Sequence, residues 1–357
     1  MLRRVVVTGV GVVGAGFVGG GRTLRPWLAA APAPPADHVV DDTLLGALMD
    51  GADARRTSRV SRFTVAATRL ALADAALDDV GAAGLVLGTE HGDLHSAIEF
   101  AEGFLRGGPA GVSALAFPNT VMNTMVSATS IAAVTHGPAL TLNVRTVGGE
   151  LAVARAARTV ASGRIEVALA GGVDVRNPKV EAMLAELGAG DEVRGEGATV
   201  LVLESLEHAR ARGAVPAGEI LGAAWCGLPA RPNGVGRRAD SRAIGDALAD
   251  AGRAPGAITW AYSSSSGDGR RDAWERALLE RALGPAVTIA SLASRFGQHA
   301  GLGALRVAAA AWSAAAGRLV DPPLDVPRGP GLVHGVARGG TQVALVVDAP
   351  LDGAAGC

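Results

Sequence analysis

The chain has 357 residues, with 33 basic against 34 acidic side chains, a net charge of −1, 49% hydrophobic content, 50 glycines and 2 cysteines. That length and apolar content can bury a large core in one large or two moderate domains, and the scattered Lys and Arg leave no electrostatic footprint for nucleic acid. Cys226 and Cys357 make neither a disulfide framework nor a metal site, and with no run of about 18 apolar residues and no cleavable leader the expectation is a cytoplasmic protein without a membrane span.

Taken along the chain, a strand leads into Gly9-Val10-Gly11-Val12-Val13-Gly14, which satisfies the G-x-G-x-x-G pattern of dinucleotide sites. The Ala15–Gly21 run after it is poor helix material, and Pro32, Pro34 and Pro35 stand where a second strand would have to carry Asp37, so a nicotinamide site is rejected. The Pro-rich stretch 29–35 reads as a surface loop. A helix is predicted over Phe63–Ala75 and a strand over Leu85–Gly88. His91 and His95, beside Glu90 and Asp93, have a spacing that would suit a metal on a helix, but Gly92 between them favours a solvated loop.

From Gly137 to Val144 apolar and polar residues alternate as in a strand, and Glu150–Arg158 is Ala-rich with helical spacing. Between them Thr146 stands on a sharp strand-to-helix turn, where the N–H groups opening the helix suit a thiolate or an oxyanion. Glu150 reads as an acidic residue stabilising the helix start. Farther on, Cys226 reads as a strand residue and Ser263–Ser266 is a hydroxyl run without an imidazole. His136 and His208 sit at element ends, and His334 falls in a loop before a last strand over Val343–Val347.

The order of several of these segments resembles the β-ketoacyl synthases of the thiolase-like superfamily over nearly the whole chain. The matching stretches are Arg3–Val13, Ser58-Arg59 with the following helix, Phe117-Pro118-Asn119 with Asn123, and the turn at Thr146. They continue with Val167-Ala168-Leu169-Ala170-Gly171-Gly172-Val173-Asp174, Gly195-Glu196-Gly197-Ala198 and Gly339-Gly340-Thr341. The resemblance implies an α/β thiolase-like fold, with two βαβαβαββ halves at residues 1–209 and 210–357 forming a five-layered αβαβα core. It also implies dimerisation through residues 117–130 and 139–144, with Phe117, Asn123 and Met125 at the interface.

In that family a Cys is acylated from an acyl carrier protein or coenzyme A thioester, and two His residues drive decarboxylation of the extender and stabilise its enolate. Here Thr146 stands at the Cys position, and counting back from Asp272 and Glu275 puts Ser264 at the first His. Anchoring on Gly297 and Gly301 puts Gln298 at the second His, whereas a one-residue shift puts His299 there. Arg295 replaces a nearby Lys, Arg338 replaces a Phe of the oxyanion-hole loop, and the short stretch between Asp174 and Gly195 lacks the family's gating elements. The pattern is similar in role to the chain-length factor of type II polyketide systems, a subunit that pairs with an active ketosynthase served by an acyl carrier protein. It calls for no metal or cofactor. The alternative is a stand-alone acyltransferase or condensing enzyme working through Thr146, Ser263–Ser266 and His299.

Overall fold

The computed structural model describes residues 2–30, 32–49, 57–114, 116–188, 191–227, 230, 234–236 and 240–350; Cys357 lies outside the described residues. The strands are β1 (Val5–Gly14), β2 (Phe17–Gly20), β3 (Gly84–Thr89), β4 (Ala139–Asn143), β5 (Val167–Asp174), β6 (Gly197–Ser205), β7 (Gly218–Gly227), β8 (Trp260–Tyr262), β9 (Thr288–Ala290), β10 (Gly331–Val336) and β11 (Thr341–Asp348). The helices are α1 (Gly21–Ala29), α2 (Arg59–Ala75), α3 (Leu94–Gly107), α4 (Thr124–Ala133), α5 (Gly148–Ala161), α6 (Pro178–Glu186), α7 (Leu206–Ala211), α8 (Arg242–Asp250), α9 (Gly269–Leu283), α10 (Ala293–Phe296) and α11 (Ala300–Ala316).

The strands join in the order β4-β3-β5-β6-β1-β7-β11-β10-β8-β9, with β2 folded back on β1. Read outward from the centre, β7-β11-β10-β8-β9 repeats the pattern of β1-β6-β5-β3-β4. The two runs touch along Val5–Val7 and Gly218–Ile220, and the connection from β6 to β7 passes through α7. Between the two runs lie α5 and α11, each packed on strands of both. Helices α2 and α4 cover one outer face, α8 and α9 the other, so the layers run α, β, α, β, α.

Sequence explains this placement. All ten residues of β1 are buried, as expected of a strand covered on both faces. A Cβ on Gly9 or Gly11 would come within 2.3 or 1.9 Å of carbonyl oxygens of α2. Those glycines therefore let the helix lie on the strand, and because β1 runs unbroken through Gly14 the G-x-G-x-x-G pattern opens no helix. At the centre, α11 reads Ala-Gly-Leu-Gly-Ala-Leu-Arg-Val-Ala-Ala-Ala-Ala-Trp, apolar on every side apart from Arg306, and is buried almost throughout.

One sheet margin is open. β4 is an edge strand with an exposed or half-exposed face, and Leu140 on it joins Phe117, Val121, Met122, Ile131 and Val134 as exposed large apolar side chains of neighbouring segments. Asn123, just before α4, is exposed as well. Met125 corrects the sequence expectation. As the second residue of α4 it is fully buried, in the cluster that holds Phe63, Val60 and Leu87, whereas Met122 just before the helix is exposed. Among the described residues no helix is long and apolar enough to cross a membrane.

Candidate functional site

The turn after β4 is tied down before it bends. Val144 donates its N–H to the Thr89 carbonyl at 3.1 Å, and the Val147 N–H reaches the Arg145 carbonyl at 2.7 Å, closing a γ-turn around Thr146. Thr146 has φ of 65° and is 2% exposed. A β-branched residue with positive φ is strained. The strain persists because α5 enters between β3 and α11 with almost no clearance: a Cβ at Gly149 would lie 2.0 Å from the Ala300 carbonyl oxygen. Thr146→Gly is expected to raise the unfolding free energy by about 1 kcal/mol, strain relief outweighing the entropy of glycine; an unchanged or lower urea midpoint would show that no strain resides there.

Gln298 is brought to this turn from far along the chain. Its N–H donates to the Val193 carbonyl at 2.6 Å and its carbonyl accepts from Gly195 N–H at 3.2 Å. The side-chain Nε2 then donates to the Thr146 carbonyl at 3.2 Å and to the His299 carbonyl at 3.4 Å. His299 turns the other way and packs its ring against Gly197 and Gly301. Burial, reinforced by the positive charge of Arg306, pushes its imidazole down to about 3. Among the described residues no titratable side chain hydrogen-bonds the Thr146 hydroxyl.

Ser264 belongs to a separate buried cluster. Its Oγ donates to Glu275 Oε2 at 2.8 Å and accepts from Val336 N–H at 3.0 Å and Arg271 Nη1 at 3.3 Å. Glu275 Oε1 pairs with His334 Nδ1 at 3.0 Å. Burial pushes the Glu275 carboxyl up, but His334, Arg271 and the Ser264 N–H together hold it below its ordinary value. His334 corrects the expectation of a loop residue: it lies within β10, fully buried, facing Glu275 of α9. The glycines on either side of the Leu-Val-His triplet read as loop punctuation, yet they belong to the strand. Arg295 and Arg338 are committed elsewhere. The first reaches Asp321 at 3.3 Å and lies over Trp27, and the second bonds Asp268 at 2.6 Å.

Gln298 also lines a cavity of about 600 Å³ bounded by the start of α2, the turn after β3, the start of α3, the segment after β5 and residues 194–196. His91 and His95 line it too, His91 from the turn and His95 from the first turn of α3. Among the described residues no cluster of three or more His, Cys, Asp or Glu is arranged to hold a metal ion. The hub of the cavity floor is Asp174, whose carboxylate accepts from Thr89 Oγ1 and Glu90 N–H, both at 2.8 Å, and from Ala300 N–H at 2.7 Å. Burial raises its pKa, with the negative charge of Glu90 adding to the effect. Glu90 is itself paired with Arg145 at 3.0 Å and Arg194 at 3.6 Å. The cavity was invisible in the sequence, since its walls come from separate segments and no spacing links them.

A family model, the N-terminal domain of β-ketoacyl synthase, matches residues 40–209. A protein of Streptomyces halstedii described as a polyketide β-ketoacyl synthase is 33% identical over 344 residues, 80% of this chain and 78% of the relative. An oxytetracycline polyketide β-ketoacyl synthase of Streptomyces rimosus is 30% identical over 360 residues, 87% of this chain and 84% of the relative. Among solved structures, the ishigamide ketosynthase/chain length factor superposes with a TM-score of 0.85 at 25% identity, covering 98% of this chain and all of that one.

Proposed function

Because the chain belongs to the β-ketoacyl synthase family and has its thiolase-like fold, we propose that it is a non-catalytic ketosynthase-like subunit. In this reading it pairs with an active ketosynthase, stabilises it and shapes the acyl or polyketide product grown on the partner's cysteine. The observation that carries the reading is the make-up of the turn. Thr146 occupies the strained position where the family carries its nucleophile, and the neutral amide of Gln298 donates to its backbone carbonyl rather than to its hydroxyl. A hydroxyl with no base bonded to it is a poor nucleophile. Ser264, at the first His position, spends its hydroxyl on Glu275 and Val336. The repurposed-enzyme alternative gains nothing from His299, whose imidazole is turned toward Gly197 rather than toward Thr146.

The chemistry of condensation then belongs to the partner, and this chain contributes a surface. β4 offers unpaired backbone groups, and the apolar side chains beside it form the kind of patch that a homologous edge would cover by strand addition. The acyl carrier protein would deliver thioesters to the complex. The two halves at 1–209 and 210–357 serve in this reading as one rigid scaffold.

Intact-protein mass spectrometry after incubation with acyl-carrier-protein thioesters tests the proposal. We expect the acyl adduct on the partner's cysteine only, with turnover of the complex unchanged by Thr146→Ala. An adduct on this chain at Thr146 would overturn the reading. Pairing has its own test: Leu140→Asp with Ile131→Asp, both on exposed positions, is expected to weaken association with the ketosynthase roughly 100-fold or more while the isolated chain keeps its melting temperature. Co-elution of the doubly substituted chain at wild-type concentrations would exclude this face.

A further inference from the structure

One long stretch of the chain folds without a core of its own. From residue 94 to residue 123 none of the described residues is buried, and α3, its main element, packs on the short turns that follow it. The two ends of the stretch meet: a Cβ at Gly92, where φ is 62°, would come within 2.8 Å of Met122 Sδ. The result is a lobe closed at its neck, attached to the body there.

The lobe has an inner and an outer edge. On the inner edge Leu94 packs on Val180 and Leu184 of α6, a small apolar cluster separate from the main core, and Leu94, His95 and Ser96 wall the cavity together with Pro178 and Val180. Glu102 forms an ion pair with Lys179 of α6, the single lysine of the chain. On the outer edge the Phe100 ring lies 5.8 Å from that of Phe117, and Phe104 and Leu105 stand exposed one turn on. Phe117, Val121 and Met122 already belong to the apolar patch beside β4. The lobe therefore reaches from the cavity to the proposed pairing face.

A segment with few buried contacts and exposed helical hydrogen bonds sits at the low end of local stability. A small apolar seam and an exposed ion pair do not offset the conformational entropy of ordering so long a segment, so the seam with α6 opens well before the main core does. A homologous subunit laid along β4 would also cover Phe104, Leu105 and Phe117, and that burial supplies what the lobe lacks. We infer that the 94–123 lobe and α6 form a hinged lid on the cavity, and that the ketosynthase partner closes it by clamping the lobe's outer edge. The inference rests on the proposed pairing and adds a regulation to it: whether the chain is paired sets access to the cavity.

Hydrogen exchange read by mass spectrometry tests it on the full-length chain, alone and in complex with the ketosynthase. In the free chain the amides of α3 are expected to exchange at least about 100-fold faster than those of β3. In the complex α3 and α6 are each expected to slow by more than about tenfold. Leu184→Ala weakens the seam from the α6 side, outside the apolar patch beside β4. It is expected to cut the gain in α6 to less than about threefold while α3 still slows and the pair still co-elutes. Lys179→Met, at an exposed position, is expected to make the α6 gain about two- to fivefold smaller. An α3 as protected in the free chain as β3, or α6 exchange unchanged by pairing, would overturn the inference. So would an α6 gain that survives both substitutions, which would mean that the partner covers α6 directly. Protection that appears on concentrating this chain alone would make a second copy the clamp and overturn the assignment to the ketosynthase. Absence of any complex in size-exclusion chromatography sinks the subunit reading and the clamp with it, whereas a complex with unchanged exchange sinks the clamp alone.

Discussion

Arg306→Met is expected to lower the unfolding free energy by about 3–5 kcal/mol, the largest effect of any single substitution proposed for this chain. Arg306 lies on the central helix α11 and Glu150 in the first turn of α5; both side chains are 0% exposed, with Nη2 and Oε1 3.0 Å apart. Burial pushes the Glu150 carboxyl up, and the Arg306 guanidinium is the main influence pulling it back down. The fold makes room for the pair with glycine: a Cβ at Gly303 would sit 2.0 Å from Glu150 Oε2, and one at Gly335 would sit 3.1 Å from Oε1. Removing the guanidinium leaves a carboxylate that must stay charged without a counter-ion or take up a proton at neutral pH. Glu150→Gln with Arg306→Met removes both charges at similar volume and is expected to recover most of the loss. Urea unfolding of the two single variants and the double variant decides it. An Arg306→Met chain within about 1 kcal/mol of wild type would mean that the pair is solvated or that Glu150 is already neutral.

That pair shows where reading the sequence stops. Glu150 was legible as a helix-start acid, because the first turn of an Ala-rich helix states its own preference for negative charge. Its partner was not, since Arg306 is far away in sequence and only the packing of α5 against α11 joins them. The same division holds elsewhere. The strand, the turn at Thr146 and the helix after it were readable from alternation and alanine content, because each is a local pattern. Anchoring on Gly297 and Gly301 put Gln298 at the second His position, with His299 as the alternative; in the fold the Gln298 amide donates to the Thr146 carbonyl and the His299 ring packs on Gly197 and Gly301. His334 was misplaced because glycines inside a fully buried strand imitate a loop. Met125 was misplaced because burial within one helical turn depends on which neighbours the helix packs against, here Phe63 of α2 and Leu87 of β3. The cavity needed coordinates outright, since its walls are assembled from distant segments.

Lowering the pH from 7 to 5 is expected to remove about 2 kcal/mol of stability through His299 alone. The imidazole is pushed from 6.5 to about 3, first by burial, then by the nearby positive charges of Arg306 and His38, with a hydrogen bond to the Gly197 backbone opposing them. A depressed histidine favours folding only while it is neutral. Above about pH 6.5 both folded and unfolded chains hold it neutral, and its contribution is fully present. Below that value the unfolded chain takes up a proton that the folded chain refuses, so stability falls continuously down to about pH 3. His299→Gln removes the titrating group while keeping a polar side chain. Carboxylates held below their ordinary values, such as Glu275 beside His334, lose their contribution at lower pH and do so in both proteins. The difference between wild type and His299→Gln therefore isolates the imidazole. Unfolding free energies at pH 7 and pH 5 should fall by about 2 kcal/mol more in wild type than in the variant. Parallel losses in the two chains would show that His299 is protonated in the folded state, and its Nδ1, which has no partner among the described residues, would then need an acceptor.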